Sequence, residues 1–417
     1  MKMRVWAMGA ALLAGLCVAG PARATPEPPA LTVTTKDEST SMTLGLTAQL
    51  RVELDHVDKG PGKEAEEDVL VHFRRIRPLV KGSVLTKDLT YQLQVNLVPG
   101  AIELIDLYAG YQFHPQAQLL VGQAKVPFTR YRLNSYKDLP LAEWSNETRF
   151  FGAERQLGLM LHNGFDKPGK IEYELGLYTG VNQRASDAAG LAQAFGEKLP
   201  NPSALVNPAP PPDTIHPELV AHFGYNHGGI NVRRPSDLEG GPPRFMVGAT
   251  AAWDARPTAR QDMSLRIAPE ALLKAYGFAL NGVFYLGFWE KEDHELGSMA
   301  QGFTGLVAQA SQVLFERFEV AFRYTLVHLT EELRDQAKAY AAEQMAAAKG
   351  SEAEAEVKEQ YKSVGKVSDE HDLTVGLNVY LLGTALKWQT DASALLHVRP
   401  DGDRIDRRIR TQLLVSF

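Results

Sequence analysis

Apolar and polar residues alternate one by one in many segments of this chain. In the last segment, 405–417, one parity is mainly apolar, the other is mostly polar, and the run ends on Phe417. Because successive side chains of a strand point to opposite faces, this pattern predicts a strand with one apolar and one polar face. A strand of this kind that closes on an aromatic residue is typical of outer-membrane β-barrel proteins. Similar alternation occurs at 42–53, 89–97, 318–326 and 373–381.

Repeated alternation over about ten residues is the signature of transmembrane strands. We count sixteen such strands, an even number, as a barrel with both termini on one side requires. The predicted strands are 43–55, 70–84, 89–97, 101–111, 117–126, 154–163, 171–181, 217–226, 244–253, 258–267, 275–289, 302–314, 318–329, 370–382, 384–397 and 405–417. The predicted fold is therefore all-β, an antiparallel transmembrane barrel.

A soluble β-sandwich would also contain strands with one apolar face. Two features favour the barrel. The predicted strands run to roughly 10–15 residues, whereas strands in soluble proteins are about 5–6 residues long. Aromatic residues also stand at or near several strand ends, among them Tyr111, Phe113, Phe128 and Tyr131, where an interfacial girdle would place them.

The last strand sets the orientation, since it must finish in the periplasm. The long connections 128–153, 183–216 and 331–369 then fall outside the cell, as expected for a barrel with long external loops. Within the third of these, 331–362 is rich in Ala, Glu and Lys, which predicts a helical insertion. The Gly- and Pro-rich stretch 227–243 is an exception, because the count places it in the periplasm.

The first residues have the organisation of a secretory signal peptide. Met1-Lys2-Met3-Arg4 precedes an apolar stretch up to about residue 20, and Ala22-Arg23-Ala24 follows as a cleavage site. We predict a signal peptide at 1–24, a periplasmic lead-in at 25–41 and the barrel at 42–417. A membrane anchor is the alternative, but the stretch is shorter than the ~20 residues that span a bilayer. Lipid attachment at Cys17 would need a small residue where Leu16 stands.

Composition narrows the possible functions. The formal charge is −6, and removal of the predicted signal peptide makes it −9, so no basic excess suggests nucleic acid. Cys17 is the single cysteine, which leaves the predicted mature chain without disulfides. No motif of a hydrolase or nucleotide-binding enzyme occurs, and we interpret His216, His222 and His227 as unrelated rather than as a metal site. We therefore expect no enzyme, no cofactor and no metal; a hydrolase whose Ser/His pair meets only in space is the open alternative.

The polar parity of the strands carries more basic than acidic residues. The inward basic residues, as candidates for an anion path, are Arg51, Arg75, Arg77, Lys81, Arg323, Lys387, Arg408 and Arg410. The acids on the same faces are Glu53, Asp106, Glu319, Asp391 and Asp406. Basic groups on a pore wall attract anions, and guanidinium suits phosphate and carboxylate oxygens. The alternative is that these charges pair with one another across the wall.

The connection 128–153 is long enough to fold into the barrel and set its narrowest point. Candidates for this constriction are Lys125, at the end of the preceding strand, and Arg130, Arg132, Lys137 and Arg149. A loop that lies over the rim is the alternative.

Several spaced segments resemble the phosphate-selective porin O and P family. They are Phe73-Arg74-Arg75-Ile76-Arg77 with Lys81-Gly82, the run 103–111, Gly122-Gln123-Ala124-Lys125-Val126-Pro127-Phe128, the run 373–381, and Leu386-Lys387-Trp388-Gln389. The resemblance covers about 70–417. It implies a 16-stranded outer-membrane barrel, typically a homotrimer, that passes anions by diffusion and binds phosphate through lumenal arginine and lysine.

The pattern and the resemblance together predict a passive porin in the outer membrane of a Gram-negative-type bacterium. Its expected partners are outer-membrane lipid, lipopolysaccharide and small anions such as phosphate. A rival interpretation is a plugged structural or adhesive barrel whose loops at 183–216 and 331–362 bind an external partner.

Overall fold

Seventeen β-strands make up most of the described chain, and sixteen of them close into an antiparallel barrel. The structure is a computed structural model that describes residues 31–60, 62–98, 101–164, 168–180, 216–255, 263–290, 299–361, 364–400 and 402–417, with the side chains of residues 98, 101, 146 and 149 left out. The predicted signal peptide, 1–24, lies outside the described residues.

The strands in chain order are β1 (Leu31–Thr34), β2 (Ser41–Val57), β3 (Glu66–Val84), β4 (Thr86–Val98), β5 (Ala101–His114), β6 (Ala117–Lys125), β7 (Arg155–His162), β8 (Ile171–Tyr178) and β9 (Glu218–His227). They continue as β10 (Arg244–Asp254), β11 (Leu265–Ala275), β12 (Phe278–Glu290), β13 (Met299–Leu314), β14 (Phe318–Leu329), β15 (Asp369–Leu382), β16 (Leu386–Val398) and β17 (Arg404–Ser416).

The barrel is closed by the first and last long strands. Each strand from β2 to β16 pairs with the next, and β17 pairs with β2 from Arg407 opposite His56 to Ser416 opposite Thr47. Backbone bonds of 3.1 Å join Phe417 and Leu46 at the end of this seam. The short β1 lies within the predicted lead-in and pairs with the start of β2, just beyond the point where β17 ends.

The strands expose apolar side chains on the outside and bury polar side chains inside. On β15, Leu373 and Val375 are 46% and 50% exposed, whereas Thr374 and Asn378 on the inner face are fully buried. This arrangement is the inverse of a soluble protein and matches a transmembrane barrel, whose outer surface is covered by lipid. The predicted all-β transmembrane barrel is confirmed.

The two ends of the barrel differ in the length of their connections. Long connections, including 126–154 and 330–368, lie at one end, which we call the long-loop end. Phe417 lies at the other, which we call the short-turn end, where Tyr276–Gly277 joins β11 to β12 and residues 315–317 join β13 to β14. The connection 228–243 is an exception, because it is long and lies at the short-turn end. The strand count from the sequence also placed it at that end.

One strand prediction was wrong. The expected strand 258–267 is replaced by β11 at Leu265–Ala275, and residues 256–262 are not described. The true strand carries Pro269 in its interior, where proline cannot donate a ladder hydrogen bond. The pairing of β11 with β12 is indeed interrupted between Ile267 and Glu270. This proline and the short alanines of the outer face obscured the alternation.

The described helices lie in the long connections. They are α1 (Arg130–Leu133), a 3₁₀ turn (Tyr136–Asp138), α2 (Asn146–Phe151), α3 (Glu331–Ala347) and α4 (Glu354–Tyr361). The predicted helical insertion at 331–362 is confirmed by α3 and α4, and Thr330 caps α3, since its side chain accepts a bond from Leu333 N. Within the described ranges, no helix has the length and apolar character to span a bilayer. The predicted loop 183–216 falls almost entirely outside the described residues.

Candidate functional site

Residues 126–154, which follow β6, fold into the barrel; we call this segment the inward loop. Ser145 caps α2 by accepting a bond from Thr148 N, and Thr129 caps α1 by accepting from Arg132 N. Phe128, Leu139 and Phe151 are buried to 1% exposure or less. The loop therefore crosses the lumen instead of lying over the rim.

One side of the inward loop is attached to the wall by aromatic packing. The Phe151 ring stacks on Tyr285 of β12 with centroids 4.9 Å apart, and Phe150 contacts Phe303 of β13 at 5.7 Å. A Cβ placed on Gly305 would lie 2.4 Å from the Phe151 ring. Glycine at this wall position thus allows the aromatic ring to lie against the strand.

The opposite side of the loop is attached through its backbone carbonyls. Lys387 Nζ donates to Leu139 O at 2.8 Å, and Arg323 Nη1 donates to Glu143 O at 2.8 Å. Both side chains come from the lumen wall and are at most 1% exposed. Two of the predicted anion-path residues therefore hold the loop, because each bonds one of its carbonyls.

Glu143 is the main acidic contact of the inward loop with the basic wall. Its carboxylate lies 2.9 Å from Arg51 Nη2, 3.1 Å from Arg74 Nε and 2.9 Å from Arg75 Nη2. All three arginines are at most 4% exposed. Arg51 also donates to Gln412 at 2.9 Å. A carboxylate buried with such partners holds the loop against the wall, and it also offsets part of the positive charge there.

Sequence reasoning missed Arg74 as a lumen residue. Parity assigned Arg75 and Arg77 inward and so placed Arg74 outside. In the structure Gln49 pairs with Arg75 and Leu50 pairs with Phe73, so Arg74 is the extra residue of a bulge. The bulge turns two consecutive arginines towards the lumen. Pro78, four residues further on, was the one sequence signal of irregularity in this strand.

The remaining predicted wall residues differ in their partners. Arg77 is buried with its guanidinium 5.0 Å from the Tyr136 ring centroid. Arg410 forms two bonds to Asp391, of 2.8 and 3.1 Å, while Arg408 Nη2 donates to Asp55 at 3.0 Å. For Arg408 and Arg410 the structure thus has the cross-wall pairing that was the alternative to an anion path.

Lys125 ends β6 and holds the backbone of the inward loop. Its ammonium donates to the carbonyl oxygens of Arg132, Leu133 and Asn134 at 3.3, 3.0 and 2.8 Å. The same ammonium lies 5.1 Å from the centroid of the Trp144 ring. Three carbonyl groups at the end of α1 need a hydrogen-bond donor, and Lys125 supplies one. This is a physical reason for a lysine at this position of the motif that ends in Pro127-Phe128.

Arg130 and Arg132 are also paired. Arg132 bonds Glu154 at the base of the loop. Arg130 reaches the opposite wall, where its Nη2 donates to Glu172 at 2.9 Å and Glu174 at 3.2 Å. Backbone nitrogens of the same helix donate to Glu270. The inward loop is therefore held by acids on β8 and β11, opposite to the arginines that hold Glu143.

His222, one of the three histidines weighed as a metal site, lies in this acidic cluster. Its Nε2 is 3.1 Å from Glu172 and its Nδ1 is 2.8 Å from Thr250. In the part of the chain that the structure describes, no group of three or more His, Cys, Asp or Glu side chains is arranged to hold a metal ion.

Glu147, in α2, carries a fully buried carboxyl group. Burial and, secondarily, the Asp372 carboxylate raise the pKa of Glu147 to about 8 from an ordinary 4.5. The protonation of the inward loop therefore changes as the pH passes about 8.

A cavity of about 420 Å³ lies at the short-turn end, beside the inward loop. Its walls come from β2 to β6, from the first residue of β7 and from the β16–β17 edge, as far as Phe417. Six basic side chains line it: Lys81, Lys125, Arg130, Lys137, Arg155 and Arg233. Asp106 is the one acid among the described lining residues. This basic cavity is the strongest candidate for a functional site.

The basic side chains of the cavity fall into two groups. Lys125 and Arg130 hold the loop, and Arg155 Nε donates to Asp106 at 2.7 Å. Lys81 and Arg233 are exposed and Lys137 is half-buried. Lys81 was predicted as a pore residue and Lys137 as a constriction residue. Arg233 was missed, because it lies in the 228–243 connection, where no periodicity assigns a side chain to a face. The side chain of Arg149 lies outside the described part.

Residues 45–196 match the model of the phosphate-selective porin O and P family, which confirms the resemblance for that part of the chain. No curated protein matches the sequence.

Solved porin structures share the fold at low sequence identity. The chain is similar to an anion-selective porin from Comamonas acidovorans, with 11% identity, a TM-score of 0.56 and coverage of 91% of this chain and 100% of that one. It is also similar to the outer membrane channel DcaP of Acinetobacter baumannii, with 9% identity, a TM-score of 0.54 and coverage of 92% and 99%. OmpF of Salmonella typhi, in complex with daunomycin, gives 13% identity, a TM-score of 0.54 and coverage of 92% and 100%.

Proposed function

We propose that this protein is an outer-membrane porin that lets small solutes diffuse passively and favours anions such as phosphate. The basic cavity at the short-turn end carries the proposal. The exposed apolar exterior and the match of residues 45–196 to phosphate-selective porins O and P support it. No chemical step is involved, since selectivity in a pore arises from fixed charge and width.

The orientation follows from the unequal ends of the barrel. Long external loops and short periplasmic turns are usual for outer-membrane barrels. We assign the long-loop end to the outside and the short-turn end, with Phe417, to the periplasm. Export by the predicted signal peptide at 1–24, insertion among outer-membrane lipid and lipopolysaccharide, and assembly as a homotrimer complete the proposal; the trimer rests on the family resemblance.

The preference for anions would arise mainly in the cavity. Arg410 is paired with Asp391, so it adds little net field. Arg51, Arg74 and Arg75 share the one carboxylate of Glu143 and are at most 4% exposed, so they contact the inward loop rather than passing solutes. The side chains of Lys81 and Lys137, in contrast, form no hydrogen bond or ion pair with the described residues, and both line the cavity. Lysine is a compact point charge, which suits brief, exchangeable contact with an anion.

Planar-bilayer recording of the purified protein in a salt gradient tests the proposal. We expect single-channel steps and a reversal potential on the anion side. Lys81→Gln, Lys137→Gln and Arg233→Gln combined should move the reversal potential towards the cation side. The control makes the same charge change at exposed lysines of the long-loop end, with Lys63→Gln, Lys349→Gln and Lys366→Gln. A cation-selective parent protein would contradict the anion claim and leave the porin.

A plugged structural or adhesive barrel is the second candidate, and one observation favours it. The inward loop crosses the lumen and is attached to several strands around it, from β2 to β12 and β16. If this plug is complete, the purified protein gives no conducting steps in any salt, and removal of helices α3 and α4 abolishes binding of an external partner.

A further inference from the structure

The connection 228–243 is long, and it lies at the end where the other described connections are short; we call it the 228–243 loop. It joins β9 to β10 and reaches across the mouth of the barrel. Leu238 packs with Val313 of β13 and Tyr380 of β15, both on the lumen face and both 2% exposed. The loop therefore spans from β9 to β15.

Polar contacts fix the loop in this position. The fully buried Lys274 of β11 donates to Asn231 O at 2.8 Å. Asp237, also fully buried, accepts a bond of 2.9 Å from Gly277 N in the neighbouring turn and bonds Arg244. These partners belong to the barrel itself, so the loop is a built part of the mouth.

The 228–243 loop also meets the inward loop inside the barrel. In the amide orientation that satisfies its neighbours, Asn134 donates to the carbonyl oxygens of Val232 and Arg233, each at 3.0 Å. Arg234 Nε lies 3.5 Å from Asp138 Oδ1. Two loops that enter from opposite ends of the barrel are thus joined to each other.

The basic cavity lies on the other half of the same mouth. Its wall is made by β2 to β6 with the end of β17, and residues such as Thr47 and Gln94 line it. None of the described residues of β9 to β15 belongs to this wall. The half of the mouth covered by the 228–243 loop and the half occupied by the cavity are therefore complementary.

We propose that the 228–243 loop closes the β9–β15 half of the short-turn end and confines passing solutes to the β2–β6 half. The loop is then a specificity element, because it directs each anion past Lys81 and Lys137 and contributes Arg233 to the same path. This inference rests on the proposed porin function.

Thiol accessibility tests the division of the mouth. Cys17 is the single cysteine and lies in the predicted signal peptide, so introduced cysteines report alone in the mature chain. We would place Gln94→Cys in the open half and Val313→Cys in the covered half, and add a small anionic methanethiosulfonate from the short-turn side. Gln94→Cys should be labelled at least about tenfold faster, because the covered site reacts only when the loop opens.

Release of the loop should remove this difference. In one variant a two-residue Asn-Gly turn replaces residues 229–243, since His227 pairs with Phe245 and such a turn joins paired strands directly. In a second variant of unchanged length, Leu238→Asp and Arg234→Gln remove the apolar and the ionic contact. In both variants the labelling rate of Val313→Cys should approach that of Gln94→Cys. The second variant decides the test if the first, shortened barrel does not fold.

Equal labelling of the two cysteines in the intact protein would overturn the inference. Labelling is read by mass, so the result does not depend on conductance. A cation-selective channel would contradict the proposed anion preference but leave the division of the mouth intact.

Discussion

Replacement of Glu143 by glutamine is the sharpest test of how the basic wall is used. The change keeps the size of the side chain and removes its charge. It leaves Arg51, Arg74 and Arg75 without the carboxylate that lies 2.9–3.1 Å from each of them. If these arginines mainly hold the inward loop, the loop must loosen; if they mainly serve passing anions, it must not.

The size of the effect follows from the contacts that remain. Loss of one partner of a buried ion pair costs about 3–5 kcal/mol. Arg51 keeps Gln412 and Arg75 keeps Gln49 as acceptors, so we expect the lower end of that range. About 3 kcal/mol corresponds to roughly a hundredfold shift between the attached and the detached state of the loop tip. The carbonyl of Glu143 stays bonded to Arg323, so the loop should become mobile without leaving the lumen.

Single-channel recording measures the consequence. Glu143→Gln should give more frequent open-level fluctuations and a reversal potential further to the anion side, because one negative charge is lost beside three positive ones. Glu64→Gln serves as the control, since Glu64 is an exposed glutamate between β2 and β3 at the long-loop end. Unchanged noise together with unchanged resistance of the folded band to heating in detergent would refute the structural role of Glu143.

Three further changes test other parts of the inward loop. Gly305→Val should displace the Phe151 ring and raise conductance, whereas Gly282→Val, where an added Cβ meets only Val307 O at 3.9 Å, should leave conductance unchanged. For Glu147, whose pKa is raised to about 8, the neutral form suits the buried loop, so loop stability is complete below pH 4.5 and is lost as the pH rises towards 8. After correction for the intrinsic, base-catalysed exchange rate, the protection of the α2 amides should therefore fall over that range in the parent and stay constant in Glu147→Gln; parallel protection profiles would contradict this account. Lys125→Met removes the donor to three carbonyls and should cost about 1.5–3 kcal/mol of loop stability, measured as earlier proteolysis of the inward loop.

Strand periodicity predicted most of the barrel because membrane strands obey a strict rule. One face must be apolar for lipid, and the alternation at Leu373 to Leu381 records this directly. The rule failed at β11, where Pro269 and outward alanines weaken the contrast between the faces. It also assigned Arg51 and Lys387 to the lumen face, where the structure has them.

The partners of those residues lay beyond the reach of periodicity. That Lys387 bonds the carbonyl of Leu139 depends on the path of a loop nearly 250 positions earlier in the chain. The bulge that turns Arg74 inward depends on pairing between two strands, and Arg233 lies in a segment without regular structure. The alternation of apolar and polar residues indicates which face of the barrel wall a side chain is on. Its contacts across the lumen depend on the tertiary fold.

The seam between β2 and β17 has a consequence for the order of assembly. The Thr47 and Ser416 hydroxyls, bonded at 3.1 Å, are separated by 369 positions. The first long strand therefore has an unpaired edge until the last one arrives, and an open edge is prone to wrong association. The closing contact carries a high entropic cost that only the whole set of strands can offset. We expect that a chain ending before β17 cannot complete its insertion, and that the cell needs a means of protecting β2 while the rest of the barrel is delivered.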